Sequence, residues 1–209
     1  MKIFLDLSWS KYSRTEIGKI SIVSLQLLLN GNVNILDIIA NIRDINLVKK
    51  ILETEEILNA NEPNIDGMTA LHIASLQGNL ELVKLLIGEK NADIHIRTPE
   101  HEIFYPFGRS IKGNSSIIDF SVDNLDLDMT IYFLELGLKM PKVLTIFSGA
   151  TSGKKFCEQL CDYFQTKLEQ DPSFDNILKQ VEDAQKDFYE NTLAPLIGNS
   201  INLTGEENV

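Results

Sequence analysis

The sequence is poor in residues that stabilise small secreted proteins. It contains two cysteines and one tryptophan in 209 residues. A secreted disulfide framework needs more cysteines. Cys157 and Cys161 are four residues apart, which places them on one face of a predicted helix. We expect them to be free thiols of a core rather than zinc ligands, because no further Cys or His lies near them in sequence.

Long apolar runs are also missing. The longest, Ile20–Leu29, contains polar residues and is too short to cross a bilayer. The first residues do not predict a secretory signal, since Asp6 interrupts a short apolar stretch. We therefore expect a soluble chain in a reducing, cytoplasmic compartment.

Basic residues are in the minority. Lys and Arg number 19 against 30 Asp and Glu, which gives a net charge of −11. A field of this sign repels phosphate backbones and anionic lipids, so neither nucleic acid nor a membrane is an expected partner. A protein with a basic surface is a better complement. The alternative, that the charge serves solubility alone, stays open.

No pattern of catalytic or cofactor-binding residues stands out. The stretch Gly149–Lys154 is one residue short of a phosphate-binding loop, and Lys155 stands where Ser or Thr would bind magnesium. Asp93, His95 and His101 are close in sequence but do not form a metal-ligand pattern. The sequence therefore predicts no cofactor, no metal site and no catalytic residue, and the chain is not expected to be an enzyme.

The middle of the chain contains a repeat. Residues 66–87 read DGMTALHIASLQGNLELVKLLI, which resembles the ankyrin repeat. The matching positions are Gly67, Thr69, Leu71, His72, Ala74, Gly78, Leu80, Glu81, Val83, Leu85 and Leu86. Two positions depart from the family pattern: Ala70 replaces the usual proline, and Asn91 stands where glycine ends the second helix.

The matching residues predict a helix–turn–helix unit. Thr69 is placed to cap the first helix. Gly78 is placed to end it in a left-handed conformation, which Asn91 can also adopt after the second helix. Two apolar sets should be buried, one from each helix: Leu71, Ile73 and Ala74, and Leu82, Val83, Leu85 and Leu86.

Two weaker copies flank this unit. Asn34–Ala40 and Ile45–Leu52 align with its two helices, as do Ser116–Ser121 and Leu127–Gly137 further along. The copies are spaced 35 and 47 residues apart. Leu125 replaces the turn glycine of the third copy, and a left-handed leucine is strained by about 1 kcal/mol or more. The flanking copies should therefore be less regular.

The resemblance implies an all-α fold, an ankyrin-repeat solenoid of helix–turn–helix units with short β-hairpin loops and helical caps. Residues 1–29 form the predicted N-terminal cap. The repeats occupy 30–140, as 30–63, 64–98 and 113–140. Residues 141–209 form a C-terminal cap or extension, with helices predicted over Ser152–Gln170 and Phe174–Ala194.

An irregular insertion, residues 99–112, interrupts the repeats. Its aromatic residues and arginine are types that dominate binding hot spots. Insertions in repeat arrays often lie on the binding face. The alternative is that the rings fold back over the core of the repeats. The residues concerned are Phe104, Tyr105, Phe107 and Arg109.

The resemblance also implies function: a non-catalytic module that binds a partner protein through the concave surface and the insertion. The family's usual contact positions correspond here to Val33, Asn41, Ile42, Asn64, Ile65, Asp66, Met68, Leu76, Gln77, Ser115, Asp123 and Asn124. A monomer is expected. Two alternatives remain: an effector that an intracellular bacterium delivers into a host cell, suggested by the many Ile and Asn residues, and a cryptic enzyme in the C-terminal helices.

Overall fold

The computed structural model describes residues 46, 48, 49, 59–64, 66–105, 109–141 and 150–195. Over these ranges the chain is mostly helical, and its sheet is a single two-stranded ribbon, which confirms the all-α class. The chain divides into two compact units, Met1–Ile117 and Ile118–Val209. The predicted N-terminal cap and most of the first copy lie outside the described residues. Of the first copy's second helix, Asn46, Val48 and Lys49 are helical, and Val48 is buried.

Helix α1 of the first unit spans Ala70–Leu76 and begins with a reciprocal cap at Thr69. The Thr69 hydroxyl oxygen accepts the backbone N–H of His72, and the His72 ring accepts the backbone N–H of Thr69. Both N–H groups lack a partner within the helix itself. The predicted capping role of Thr69 is confirmed.

Helix α2, Leu80–Lys90, follows a tight turn. Gly78 has φ 73°, and the next N–H, that of Asn79, reaches the carbonyl oxygen of Ala74 at 2.9 Å. The Asn79 side chain then caps α2 by accepting the N–H of Leu82 at 3.1 Å. Asn91 ends the helix with φ 51°. Left-handed geometry at Gly78 and Asn91 is thereby confirmed.

Among the described residues of this unit, the buried core lies on and around α1. All seven residues of α1 are buried, whereas α2 buries only the predicted stripe of Leu82, Val83, Leu85 and Leu86. Each large apolar side chain contributes about 1.5–3 kcal/mol on burial. A helix that is covered all round is typical of an inner layer, and one with a single buried stripe is typical of a surface layer.

The second unit contains most of helix α3, Ile117–Asp123, and helix α4, Leu127–Glu135. Leu125 has φ 54°, at the position of Gly78 in the second copy. The N–H of Asp126 reaches the carbonyl oxygen of Ser121 at 2.8 Å, and the Asp126 carboxylate caps α4 through the N–H of Met129 at 3.1 Å. The third copy therefore repeats the main hydrogen bonds of this turn in the second copy. Its second helix is shorter, with nine residues instead of eleven.

Two further helices follow in this unit. Helix α5 spans Ala150–Gln170, a 3₁₀ turn spans Pro172–Phe174, and helix α6 spans Asp175–Phe188, continuing as a π-helical turn over Tyr189–Leu193. The predicted extents of both helices are close to these. The buried apolar side chains that the structure describes in α5 and α6 are those of Phe156, Cys157, Leu160, Phe164, Leu178, Val181, Ala184 and Phe188.

Two neighbouring apolar residues of α6 differ in burial: Ile177 is half-buried, whereas Leu178 is buried. Ile177 and Leu178 lie four and three residues before Val181, and both spacings put a side chain on the same helical face. The sequence pattern therefore cannot choose between them.

The C-terminal helices pack on α4. The Tyr163 hydroxyl donates to the Glu135 carboxylate at 2.9 Å, and the Lys167 ammonium lies 3.6 Å from the same oxygen. After α4, the N–H of Met140 donates to the Gln180 side chain at 3.3 Å. These contacts are those that a cap would make, and the role of residues 141–209 as a cap stays a prediction.

Candidate protein-binding surface

Two hairpin turns of the first unit are built with the same hydrogen bonds. The side-chain oxygens of Asn59 and Asp93 each accept the N–H two residues on, at 3.0 and 2.8 Å. The backbone N–H of Asn64 donates to Met68 at 2.8 Å, and that of Thr98 donates to Ser115 at 2.9 Å. The spacing is 34 residues in both cases, from 59 to 93 and from 64 to 98. The turn before the second copy is therefore the counterpart of the turn after it.

These two turns contact each other directly. The Asn61 side chain accepts the N–H of Asp93 at 2.7 Å and donates to the carbonyl oxygen of Asn91 at 3.5 Å. At Gly67, a β-carbon would overlap the ring of Pro99. Successive turns thus lie side by side. We call residues 59–68 and 91–98 the hairpin surface.

His72 ties this surface to the helical layer. Its Nδ1 accepts the backbone N–H of Thr69 at 3.1 Å, so its Nε2 carries the proton and donates to the carbonyl oxygen of Ile96 at 3.0 Å. Burial lowers the pKa of His72 to about 4, although the bond to Ile96 acts in the opposite direction. The ring is therefore neutral at physiological pH and makes both bonds at once.

The second turn is greatly enlarged. Residues 99–114 stand between Thr98 and Ser115 where only residues 65–67 stand between Asn64 and Met68. Within this segment, which we call the arm, strands β1, Ile103–Tyr105, and β2, Arg109–Ile111, pair antiparallel. The sequence did not predict the backbone of this insertion. Its described residues include a paired ribbon, which extends the hairpin that is already present at this position.

Comparison with known proteins agrees with this geometry. Residues 66–99 match the family model described as the ankyrin repeat. The chain carries an ankyrin repeat. No curated protein matches the chain as a relative. An ankyrin repeat is in general a module for protein–protein interaction rather than catalysis.

The contact positions predicted for this ankyrin repeat and its neighbours differ in exposure. Asp66 and Gln77 are exposed. Met68 and Leu76 are buried, with 0% and 7% of their surface exposed, and they belong to the core instead. Met68 precedes the Thr69 cap and Leu76 ends α1, and both lie within the fully buried layer. Half-buried are Asn64, Ser115, Asp123 and Asn124.

The remaining predicted positions lie either in the strands of the arm or outside the described residues. Phe104, Tyr105 and Arg109 are strand residues of the arm, where Phe104 pairs with Ser110 and Tyr105 with Arg109. Outside the described residues lie Val33, Asn41, Ile42, Ile65 and Phe107.

Sequence reasoning missed most of the charge on the hairpin surface and the arm. Among the side chains that the structure describes there, five carboxylates are exposed but only two cations are. One of the cations, Arg97, donates to the carbonyl oxygen of Asn114 at 2.8 Å. The 34-residue recurrence of Asn59 and Asp93 was the available signal for these turns. The charged groups are Glu62, Asp66, Asp93, Glu100, Glu102, Arg97 and Lys112.

The thiols of α5 are not activated. Burial raises the pKa of Cys157 to about 12 and that of Cys161 to about 11, and nearby carboxylates, such as Glu158, add to the effect. A thiol with so high a pKa stays protonated at neutral pH and is a poor nucleophile. Both cysteines are free and Cys157 is buried, as expected for core thiols. Among the described residues, no helix combines the length and apolar character that a membrane span requires.

Proposed function

We propose that this protein binds a partner protein through the hairpin surface and the arm, without catalysis of its own. The observation that carries the proposal is the direct contact between successive turns, at Asn61 with Asp93 and at Gly67 with Pro99. Because the turns touch, residues from two repeats can contact one partner together. The ankyrin repeat supports the same class of function.

The partner should present a basic surface. The acidic excess on the hairpin surface and the arm agrees with the overall charge of −11. Opposite charges across an interface speed association and disfavour wrong partners more than they tighten binding. Binding should therefore weaken as ionic strength rises.

The turns are also rigid enough for binding to be efficient. Side-chain caps fix the hairpin surface before any partner arrives, through Asn59, Asn64 and Asp93. A surface that is already ordered loses little conformational entropy on docking. On the hairpin surface, the predicted contact positions that we propose are the exposed Asp66, the half-buried Asn64 and the family position Ile65. Beyond this surface and the arm, we propose further contacts at the family positions Val33, Asn41, Ile42, Gln77, Ser115, Asp123 and Asn124.

Charge reversal on the surface tests this proposal. The tagged full chain is used to capture and identify a partner, whose affinity is then compared for the parent and the double variant Asp66→Lys, Glu102→Lys. Within the part of the chain that the structure describes, neither carboxylate accepts a hydrogen bond, so the fold should persist. We expect affinity to fall by about fivefold or more at low salt, and less at high salt.

Glu89→Lys is the matched control, because it makes the same type of charge change near the exposed end of α2. It should leave affinity unchanged. Equal loss of affinity in the control, or none in the double variant, would rule out the proposed surface.

A further inference from the structure

The arm is held firmly where it leaves the hairpin surface. The Arg97 guanidinium donates to the carbonyl oxygen of Asn114 at 2.8 Å. Between the chain segments that enter and leave the arm, the N–H of Thr98 donates to the carbonyl oxygen of Ser115 at 2.9 Å, and the N–H of Ser115 donates back to the Thr98 hydroxyl at 2.9 Å. We call residues 97–100 and 112–115 the root of the arm. Several hydrogen bonds thus cross the root within a few residues.

The root is also close-packed. The N–H of Asn114 donates to the carbonyl oxygen of Pro99 at 2.7 Å, and the Ser115 hydroxyl donates to that of Lys112 at 2.8 Å. A β-carbon on Gly113 would overlap the carbonyl group of Glu100. The two backbones therefore approach as closely as they do only because residue 113 is glycine.

Order continues from the root into the ribbon. Ile103 pairs with Ile111, and both side chains are buried, with 5% and 3% of their surface exposed. An unanchored insertion of this length would have many conformations to lose on binding. In this insertion, the root and the first residue pair of the ribbon, Ile103 with Ile111, are already fixed in one conformation before binding.

We propose that the described part of the arm, residues 99–105 and 109–114, is a preorganised binding element and that Arg97 is the positioning residue that fixes its direction. This inference rests on the proposed function, since it explains how the arm contributes to binding. The guanidinium bridges the segment that enters the arm to the turn that leaves it. A fixed arm meets its partner without first being ordered, so fixing it should favour association.

The first experiment measures the order of the arm in the full chain by hydrogen exchange. Arg97→Gln should speed exchange of the Ile103 and Ile111 amides by about tenfold, while the amides of α1 and α2 keep their rates. Arg97→Lys retains a donor and should restore part of the protection. Lys155→Gln, which removes an exposed positive charge from α5, is the control and should change nothing. Unchanged exchange in Arg97→Gln, or equal loosening of α1, would overturn the positioning role.

The second experiment measures association with the partner captured by the parent chain. Arg97→Gln and Gly113→Ala should both lower the association rate about threefold or more, since both open the root. Arg97→Lys should recover most of the rate. If the arm loosens and association stays unchanged, the inference is overturned, while loss of binding in Asp66→Lys, Glu102→Lys would still uphold the proposed function. If the charge reversal also has no effect, both fall.

Discussion

His72 shows how one buried side chain can couple the hairpin surface to pH. Both ring nitrogens are bonded, and the ring has no exposed surface. Protonation would remove the acceptor that Nδ1 offers to Thr69, in a place where charge is poorly solvated. The neutral ring is therefore part of the fold.

The lowered pKa of His72 predicts an acid-sensitive fold. With a pKa of about 4 in the folded chain and 6.5 when unfolded, the unfolded state binds more protons between these values. The contribution of His72 is thus complete above pH 6.5 and falls by about 2 kcal/mol on going down to pH 5. Urea unfolding at both pH values measures it. His72→Gln should be less stable throughout but lose less on acidification, and equal losses in the two proteins would contradict the assignment.

At the scale of elements, helix ends decide the fold of each copy. The same left-handed turn is made by glycine in the second copy and by leucine in the third, at φ 73° and 54°. The bonds that follow the turn are equivalent in the two copies, as at Asn79 and Asp126. The turn is therefore imposed by the packing of the two helices, and glycine lowers its energy without being required for it.

A pair of identical substitutions tests this view of the helix end. Gly78→Ala should destabilise the protein by about 1–2 kcal/mol, because alanine is strained at a positive φ. Gly88→Ala lies in α2, where a β-carbon would meet nothing within 4 Å. It should stabilise by about 0.5–1 kcal/mol through helix propensity. Chemical unfolding of both variants gives the sign, and a shared sign would show that turn geometry is not the determinant.

Features of the helices that depend on near neighbours in the chain could be predicted from the sequence. The cap at Thr69, the turns at Gly78 and Leu125, and the buried stripe of α2 depend on residues a few positions apart, and all were predictable. The bond from Asn61 to Asp93 and the pairing of β1 with β2 depend on partners further along the chain. Periodicity does not encode such pairings, so the ribbon was missed.

Candidate contact residues were harder to predict than helices. A position that faces a partner in one ankyrin repeat can be buried in another, as Met68 and Leu76 are here. Exposure at the end of a helix depends on the layer that covers it, which the sequence of one repeat does not contain. The sequence predicts the acidic character only as the net charge of the whole chain. The carboxylates are concentrated on one surface because the two turns that carry them contact each other.

At the scale of the whole molecule, the hairpin bonds argue for an array longer than the matched repeat. The turn before residue 66 and the helix pair after Ser116 both reproduce bonds found within residues 66–99. A unit with a fully buried α1 needs neighbours on both sides, since a lone repeat cannot cover this helix. The solenoid of three copies stays a prediction that the local geometry of each copy favours.

The last prediction concerns the aromatic residues of the arm, and whether they contribute to partner binding or to the stability of the fold. The double variant Phe107→Ala, Tyr105→Ala should weaken partner binding about tenfold or more and leave the melting temperature within about 2 °C of the parent, because we expect these aromatic residues to contact the partner rather than the core. Calorimetry and an affinity measurement on the same preparations check both halves. Tyr189→Ala, an aromatic deletion in the other unit, should leave affinity unchanged. Retained affinity together with a fall in melting temperature would mean that the rings cover the repeats, and the binding energy would then have to come from the charged turns alone.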